Sequence, residues 1–174
     1  MLKIAIIGPE STGKSELAKA LAAHFKSPWV PEFAREYVEN LARPYTFEDV
    51  CIIAKKQIED EIHVEKDLTA NSKFTFFDTD LIITKVWLSY CYNNIPSFIN
   101  KRLEKGFIDI YLLCAPDIPW VADSVREHGN DRDFFFNWYK EEIIKLGKPF
   151  LIVEGDGEKR TQLAIDFLIE QNGI

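Results

Sequence analysis

The chain has 174 residues and a formal net charge of −7, with 47% hydrophobic and 13% aromatic residues. This length fits a single domain, and the hydrophobic content excludes a mostly disordered chain. The negative charge argues against a general nucleic-acid binder, because affinity for the phosphate backbone depends on clustered Lys and Arg.

Five short apolar runs alternate along the chain with longer stretches of helical periodicity. Apolar strands joined by helices are typical of a parallel sheet covered on both faces. We therefore expect a three-layer, doubly wound α/β fold with five parallel strands, in one domain that spans residues 1–174. The predicted strands are Leu2–Ile7, Trp29–Val30, Phe74–Phe77, Ile108–Cys114 and Phe150–Val153.

Residues 8 to 15, which follow the first strand, read GPESTGKS. The pattern G-x-x-x-x-G-K-S between a strand and a helix predicts a phosphate-binding loop, or P-loop, whose N–H groups turn inward around the phosphates. Lys14 is expected to reach the β- and γ-phosphates, and Ser15 to ligate Mg²⁺. The default nucleotide is ATP. The predicted ATP-binding residues are Gly8, Glu10, Ser11, Thr12, Gly13, Lys14 and Ser15.

The stretch FTFFDTD places two carboxylates after a buried strand. Asp78, at the carboxyl end of that strand, is the predicted metal partner, and Asp80 follows two residues later. Asp78 or Thr79 is also expected to cap the helix predicted at Leu81–Tyr92.

The guanine-reading motif N-K-x-D is absent, which leaves a small-molecule kinase as the favoured class. Such an enzyme needs a carboxylate near the acceptor hydroxyl. Glu32 follows the second strand and Arg35 lies one helical turn later, so both are candidates for the acceptor pocket. Asp80 is a rival of Glu32 for the role of base, and the sequence leaves that choice open.

A lid is predicted over approximately residues 117–134. Asp117 and Pro119 favour a helix start, Arg126 lies near the end of that helix, and Arg132 precedes the next apolar pattern. Two arginines beside a flexible turn are able to close over phosphates and exclude water. Trp120 is interpreted as a substrate contact or as a packing anchor.

These blocks together resemble the nicotinamide riboside kinase domain of the NadR-type proteins of bacterial NAD synthesis. GPESTGKS resembles its P-loop, EFAREYV its acceptor stretch, FFDTDLIITKVW its metal region, and PWVADSVRE with DRDFF its lid. The resemblance covers nearly the whole chain. It implies a P-loop kinase fold and ATP- and Mg²⁺-dependent phosphorylation of the 5′-hydroxyl of nicotinamide riboside to give nicotinamide mononucleotide.

The resemblance also implies roles for individual residues. Lys14 and Ser15 would hold ATP and metal, Asp78 and Asp80 the metal and the ribose side, Glu32 and Arg35 the acceptor pocket, and Arg126 and Arg132 the lid.

The chain departs from the NadR pattern in two ways. NadR proteins usually carry an adenylyltransferase domain, and often a DNA-binding segment, before this one, whereas here the first strand begins at Leu2. We expect this chain alone neither to make NAD nor to bind an operator. Pro31 also stands where NadR proteins commonly carry an aromatic residue able to stack on the pyridine ring. The candidates to replace that aromatic are Trp29, Tyr37, Trp87, Tyr90 and Trp120.

Two other functions stay open. One is a kinase for another nucleoside or nucleotide, and the other is a nucleotide-dependent sensor ATPase that binds a riboside with negligible phosphate transfer. In each case the expected partner is a small-molecule nucleoside, without nucleic acid or membrane insertion. The three cysteines form no metal-binding pattern and suit reduced thiols, which predicts a cytoplasmic protein. Whether the chain forms a homo-oligomer is left open.

Overall fold

The computed structural model describes residues 1–66, 72–122 and 129–172, and in them five strands alternate with helices. The elements in chain order are β1 (Leu2–Ile7), α1 (Lys14–Phe25), β2 (Trp29–Val30), α2 (Phe33–Glu39), α3 (Phe47–Lys66), β3 (Phe74–Asp78), α4 (Leu81–Tyr92), α5 (Ser97–Glu104), β4 (Ile110–Cys114), α6 (Arg132–Leu146), β5 (Phe150–Val153) and α7 (Gly157–Asn172).

The strands form one parallel sheet in the order β2-β3-β1-β4-β5. The central strand β1 pairs with both β3 and β4, and its Ile6 lies beside Asp78 on one side and Leu112 on the other. The chain first passes from β1 to the edge strand β2 and returns to β3 beside β1, and it then crosses to β4 and β5 on the other side of β1. The loop after β1 therefore lies where the strand order reverses, which is where open α/β sheets bind ligands.

Side chains alternate between the two faces of the sheet and form two separate cores. On β1, Ile4 and Ile6 pack with the residues of α1 and α7, whereas Ala5 and Ile7 pack with those of α3 to α6. This period of two is the geometry of an extended strand. The expected three-layer α/β fold is confirmed. Two boundaries differ slightly, because β3 extends to Asp78 and β4 begins at Ile110.

A capping box starts α3 and fixes the position of α2. The Thr46 backbone N–H donates to the Asp49 carboxylate at 2.7 Å, and the Asp49 N–H lies 3.5 Å from the Thr46 hydroxyl oxygen. Tyr37 of α2 also donates to Asp49, at 2.9 Å. Hydrogen bonds from Arg43 and its neighbours hold the pKa of Asp49 well below its usual range. Asp49 therefore ties α2, which follows Glu32, to the start of α3.

The helix expected to begin near Asp117 is not formed over residues 117–122, which have no regular secondary structure. The Asp117 carboxylate accepts hydrogen bonds from the Gly155 N–H at 2.6 Å and from Arg160 at 3.1 Å, so it is not a helix cap. The rest of that predicted helix, including Arg126, lies outside the described residues.

No helix in the described ranges is both long enough and apolar enough to cross a bilayer. The three cysteines form no disulfide. Cys114 is buried at the end of β4, whereas Cys91 is exposed.

The two cores predict how the chain responds to loss of a buried side chain. Ile4 is 0% exposed and Ile144 is 56% exposed. Ile4→Ala should lower the free energy of unfolding by about 2–5 kcal/mol, because it leaves a cavity in the core. Ile144→Ala, the matched control, should change it by less than about 0.5 kcal/mol. Urea denaturation measures both, and equal losses would contradict the assigned burial.

Candidate functional site

The loop between β1 and α1 packs directly against the end of β4. Gly8 has φ of +152°, and a Cβ at this position would lie 2.7 Å from the carbonyl oxygen of Cys114. Gly13, the N-cap of α1, and Ser11 also have positive φ values, +74° and +54°. Such a backbone turns its N–H groups toward the centre of the loop, next to the positive end of α1. The geometry is that of an anion cradle.

Two side chains of the loop form hydrogen bonds within the loop. The Lys14 ammonium and the Thr12 hydroxyl both donate to the Pro9 carbonyl oxygen, each at 2.8 Å. Lys14 also lines the large cavity beside the loop. Its ammonium is therefore held at the rim of the cradle, where it can exchange the carbonyl for a phosphate oxygen.

Asp78 provides a place for a divalent cation next to this cradle. Its side chain is buried, the Ser15 hydroxyl donates to it, and its Oδ1 has no hydrogen-bond partner among the described residues. Burial raises the pKa of Asp78, while the Ser15 hydrogen bond and the Lys14 charge oppose that rise. A buried, unpartnered carboxylate oxygen beside a hydroxyl suits a hard cation such as Mg²⁺.

A cavity of about 310 Å³ extends from the P-loop into the space between α2, α3, α4 and α6. One end is polar and formed by the loop, and the other is mainly apolar and aromatic. A phosphate site and a pocket of small-molecule size therefore share one space. Beyond the loop, its lining includes Glu32, Ala34, Arg35, Val38, Tyr45, Val50, Ile53, Ile83, Thr84, Trp87, Phe135 and Tyr139.

Glu32 lines this cavity, and its carboxylate interacts electrostatically with Lys14 of the loop and with Tyr139 of the aromatic wall. It follows β2 and is the N-cap residue of α2, without a side-chain capping bond. Burial raises the pKa of Glu32, and the carboxylates of Asp78 and Glu10 act in the same direction. The charges of Lys14 and Arg35 oppose the rise. The Glu32 carboxylate is thus more basic than that of an ordinary glutamate, and the positive charge of Lys14 acts on it.

Asp80 does not line this cavity. One of its carboxylate oxygens caps α4 by accepting the Ile82 N–H at 2.7 Å, and the other accepts the Tyr111 hydroxyl at 3.0 Å. Burial raises the pKa of Asp80 to about 6. Asp80, rather than Asp78 or Thr79, is the N-cap of α4. Of the two residues that the sequence offers as the base, Glu32 lines the cavity and Asp80 does not.

Of the predicted lid residues, Arg132 lies against the P-loop. It is the first residue of α6, and its guanidinium donates to the carbonyl oxygens of Ile118 at 2.9 Å and Ser11 at 3.4 Å. Trp120 is 37% exposed and packs on Gly129, where a Cβ would lie 2.8 Å from the indole ring. Trp120 is not among the residues that line the cavity. Arg126 lies outside the described residues.

The aromatic wall of the cavity was only partly foreseen. Among the five candidates for a stacking residue, Trp87 lines the cavity. Sequence reasoning missed the contributions of Tyr45, Phe135 and Tyr139. Phe135 and Tyr139 recur at helical spacing on α6, and this pattern predicts that they are buried. It does not predict which part of the fold α6 packs against, and so it does not predict that they line the cavity. Burial and the carboxylates of Glu10 and Glu32 raise the pKa of Tyr139.

Comparison with known proteins places the chain in a family. Residues 3–160 match the family model described as an AAA domain. The chain belongs to this family. The match includes the P-loop and all five strands except Leu2, the first residue of β1. The family description names the domain and says nothing of an acceptor.

The relatives of this AAA domain include the trifunctional NAD biosynthesis/regulator protein NadR of Salmonella typhimurium, which is 27% identical over 179 residues. The alignment covers 98% of this chain and 42% of NadR, and the Escherichia coli NadR gives the same values. The chain thus spans less than half the length of the curated relatives it matches. The resemblance to NadR noted in the sequence is confirmed.

Two solved NadR structures are similar to the fold. NadR in complex with NR has a TM-score of 0.77 and 26% identity, and covers 99% of this chain and 52% of the other. NadR in complex with NAD and AMP-PNP has a TM-score of 0.76 and 23% identity, and covers 99% of this chain and 50% of the other.

The close contact at Gly8 leads to a prediction for nucleotide binding. Gly8→Ala should weaken binding of Mg·ATP by about tenfold or more, a loss of about 1.4 kcal/mol, because the added Cβ displaces the loop from Cys114. Gly147→Ala is the matched control, since Gly147 has φ of +65° but a Cβ added there would meet no atom within 4 Å. Calorimetric titration compares the two. Equal affinities would show that the close approach does not shape the cradle.

Proposed function

We propose that this chain is an ATP- and Mg²⁺-dependent kinase that phosphorylates the 5′-hydroxyl of nicotinamide riboside. The observation that carries the proposal is one cavity that is lined by the P-loop, by an aromatic wall and by Glu32. The similarity to NadR, solved with NR and with NAD and AMP-PNP, supports a nucleoside as acceptor and ATP as donor. A small-molecule partner and a cytoplasmic location are parts of the same proposal.

The donor phosphates would lie in the cradle formed by residues 8–15, with Lys14 on the β- and γ-phosphates. Ser15 and Asp78 would hold Mg²⁺ through their oxygen atoms, in agreement with the unpartnered Oδ1 of Asp78. Bound Mg²⁺ neutralises phosphate charge and fixes the triphosphate for in-line transfer. Most of the rate gain in this chemistry comes from such positioning and charge stabilisation.

Glu32 would accept the proton of the acceptor hydroxyl. Its carboxylate lies in the cavity next to Lys14, whereas both oxygens of Asp80 already accept hydrogen bonds elsewhere. The raised pKa of Glu32 makes it a stronger base than an ordinary glutamate. Arg35, which also lines the cavity, would hold a ribose hydroxyl or stabilise the Glu32 charge.

The aromatic end of the cavity would hold the pyridinium ring. Trp87 lies 6.3 Å from Tyr45 and 5.9 Å from Phe135 between ring centroids, so three rings share one wall. Ring faces attract cations, and the carboxylates of Glu10 and Glu32 add negative charge at the same cavity. Trp87 would thereby replace the aromatic residue that Pro31 does not supply.

We also infer that the chain forms one kinase domain with residues 117–134 as its lid. Arg132 supports this assignment because its contacts with Ser11 and Ile118 hold it at the phosphate end of the cavity. Arg126 is assigned to the lid on the resemblance alone. Trp120 would act as a packing anchor through its contact with Gly129 rather than as a substrate contact.

Turnover tests the function directly. Purified chain is incubated with Mg·ATP and, separately, nicotinamide riboside, adenosine, uridine and thymidine, and ADP and the phosphorylated product are measured. We expect nicotinamide riboside to give the highest kcat/KM, and folded Lys14→Ala to be nearly inactive. Preference for another nucleoside would favour the alternative that Pro31 keeps open. Binding of ATP and riboside without transfer would identify a sensor.

The choice of base gives a second prediction. Glu32→Gln should lower kcat by about 10²–10⁴-fold with little change in KM, the usual contribution of a general base. Asp80→Asn should lose far less rate, because Asp80 caps a helix away from the cavity. The base must be ionised, so kcat/KM should fall as the pH drops through the pKa of Glu32. Burial raises that pKa, which places the acid limb above the 4.5 of an ordinary glutamate. A larger loss of kcat in Asp80→Asn would reverse the assignment.

A further inference from the structure

The turn between β3 and α4 contains a strained residue directly after Asp78. Thr79 has φ of +75°, in the left-handed region that a β-branched side chain rarely adopts. Such a backbone conformation is unfavourable and persists only where the surrounding contacts hold it. The contacts of Thr79 therefore determine the path of the chain as it leaves Asp78.

Two hydrogen bonds hold Thr79 from different sides. Its backbone N–H donates to the Ile6 carbonyl oxygen of β1 at 3.0 Å. Its hydroxyl oxygen accepts a hydrogen bond from the side-chain amide of Gln57 at 3.3 Å. Thr79 is only 6% exposed, so little water competes for these bonds. The sheet thus fixes the main chain of Thr79, and α3 fixes its side chain.

Gln57 uses both ends of its amide at this turn. While Nε2 donates to Thr79, Oε1 accepts the Thr84 hydroxyl at 2.8 Å. Thr84 is buried in the first turn of α4. One side chain therefore joins the residue that follows Asp78 to the helix that follows the turn. Gln57 lies in the middle of α3, a helix of 20 residues, which makes it a rigid support.

The direction of the Asp78 carboxylate depends on this turn. Asp78 accepts a hydrogen bond from the Ser15 hydroxyl, and its Oδ1 is buried without a hydrogen-bond partner among the described residues. If Thr79 relaxed to a negative φ, the chain would change direction immediately after Asp78 and move the carboxylate away from Ser15. Groups that orient a metal ligand commonly affect metal affinity nearly as much as the ligands themselves.

We infer that Gln57 is a positioning residue for the Mg²⁺ site. It holds Thr79 in the left-handed conformation, and this turn keeps the Asp78 carboxylate directed towards Ser15. Gln57 is not among the residues that line the large cavity, so it acts through Thr79 rather than by contact with a nucleotide. The inference rests on the Mg²⁺ site of the proposed function, but it is tested without an acceptor.

Calorimetric titration of the full chain with ATP, once in Mg²⁺ and once in EDTA, separates the metal from the nucleotide. Gln57→Met keeps a long unbranched side chain and removes both hydrogen bonds. It should lower the affinity for ATP in Mg²⁺ by about tenfold, the usual effect of losing a group that orients a metal ligand. The affinity for ATP in EDTA should be nearly unchanged.

Lys85→Met is the matched control for this substitution. Lys85 is a partly buried residue of α4 that pairs with Glu142 of α6 at 2.5 Å, and it is not among the residues that line the cavity. The same new side chain thus removes a polar contact that does not involve the turn. Lys85→Met should lower thermal stability and change neither ATP affinity.

A double-mutant cycle tests the route through Thr79. Glycine adopts a positive φ without strain, so Thr79→Gly should make the support from Gln57 unnecessary. In the Thr79→Gly background, most of the Mg²⁺-specific loss caused by Gln57→Met should disappear. A role of Gln57 in general stability alone would instead give the same loss in both backgrounds.

Three results would overturn the inference. They are an equal loss of ATP affinity in Mg²⁺ and in EDTA, no loss in Mg²⁺, and an undiminished loss in the Thr79→Gly background. If Gln57→Met does not fold by circular dichroism, Thr84→Val decides, since it removes only the hydroxyl that orients the Gln57 amide. Thr84→Val should show a Mg²⁺-specific loss, and unchanged affinities would overturn the inference. Failure to phosphorylate nicotinamide riboside, with the Mg²⁺-specific loss in Gln57→Met intact, would reject the proposed acceptor and leave this inference standing.

Discussion

The carboxyl edge of the sheet is organised around the close approach of Gly8 to Cys114. A Cβ at position 8 would lie 2.7 Å from a backbone oxygen of β4, so only glycine lets the loop after β1 pack against the neighbouring strand. That packing places the cradle between Asp78, at the end of β3, and residues 116–122, which follow β4 and hydrogen-bond to Ser11. The proposed metal site and the proposed acceptor cavity both adjoin the loop that this contact holds in place.

The charges of the site follow from the same arrangement. Glu10, Glu32 and Asp78 converge near Lys14, and the pKa values of Glu32 and Asp78 are raised because burial removes these carboxylates from water. Mutual repulsion adds to the rise at Glu32. Such a cluster is stabilised by cations, and the proposed Mg²⁺ and pyridinium would both supply positive charge. The chain has a net charge of −7, so the lysine and arginines at the cradle provide the local positive charge that binding of a polyphosphate requires.

The fold was predictable from the sequence because its signals are local. Apolar runs gave the five strands to within two residues, and the P-loop motif fixes its own conformation through Gly8 and Gly13. The site was predictable only in part, because its remaining contacts are long-range. Asp117 resembles a helix cap in sequence, but its partner Arg160 is 43 residues away and holds it in a different structure. Glu32 and Asp80 look equivalent until Tyr111 and the start of α4 occupy both oxygens of Asp80.

The two halves of the site are built differently, and this bears on how the acceptor is chosen. At the ends of β4 and β5, hydrogen bonds from Arg160 to backbone carbonyl oxygens fix the geometry, so this side chain is not free to vary without loss of order. In the proposed acceptor cavity, the wall consists of side chains from α2, α3, α4 and α6 and from Tyr45. In such a wall, an aromatic ring that is missing at one position can be supplied by a residue of another helix. In our proposal, Trp87 supplies the ring that Pro31 lacks. Acceptor preference in such a domain therefore depends on side chains that only the folded cavity brings together. A sequence motif predicts the phosphate-binding loop better than it predicts which acceptor is bound.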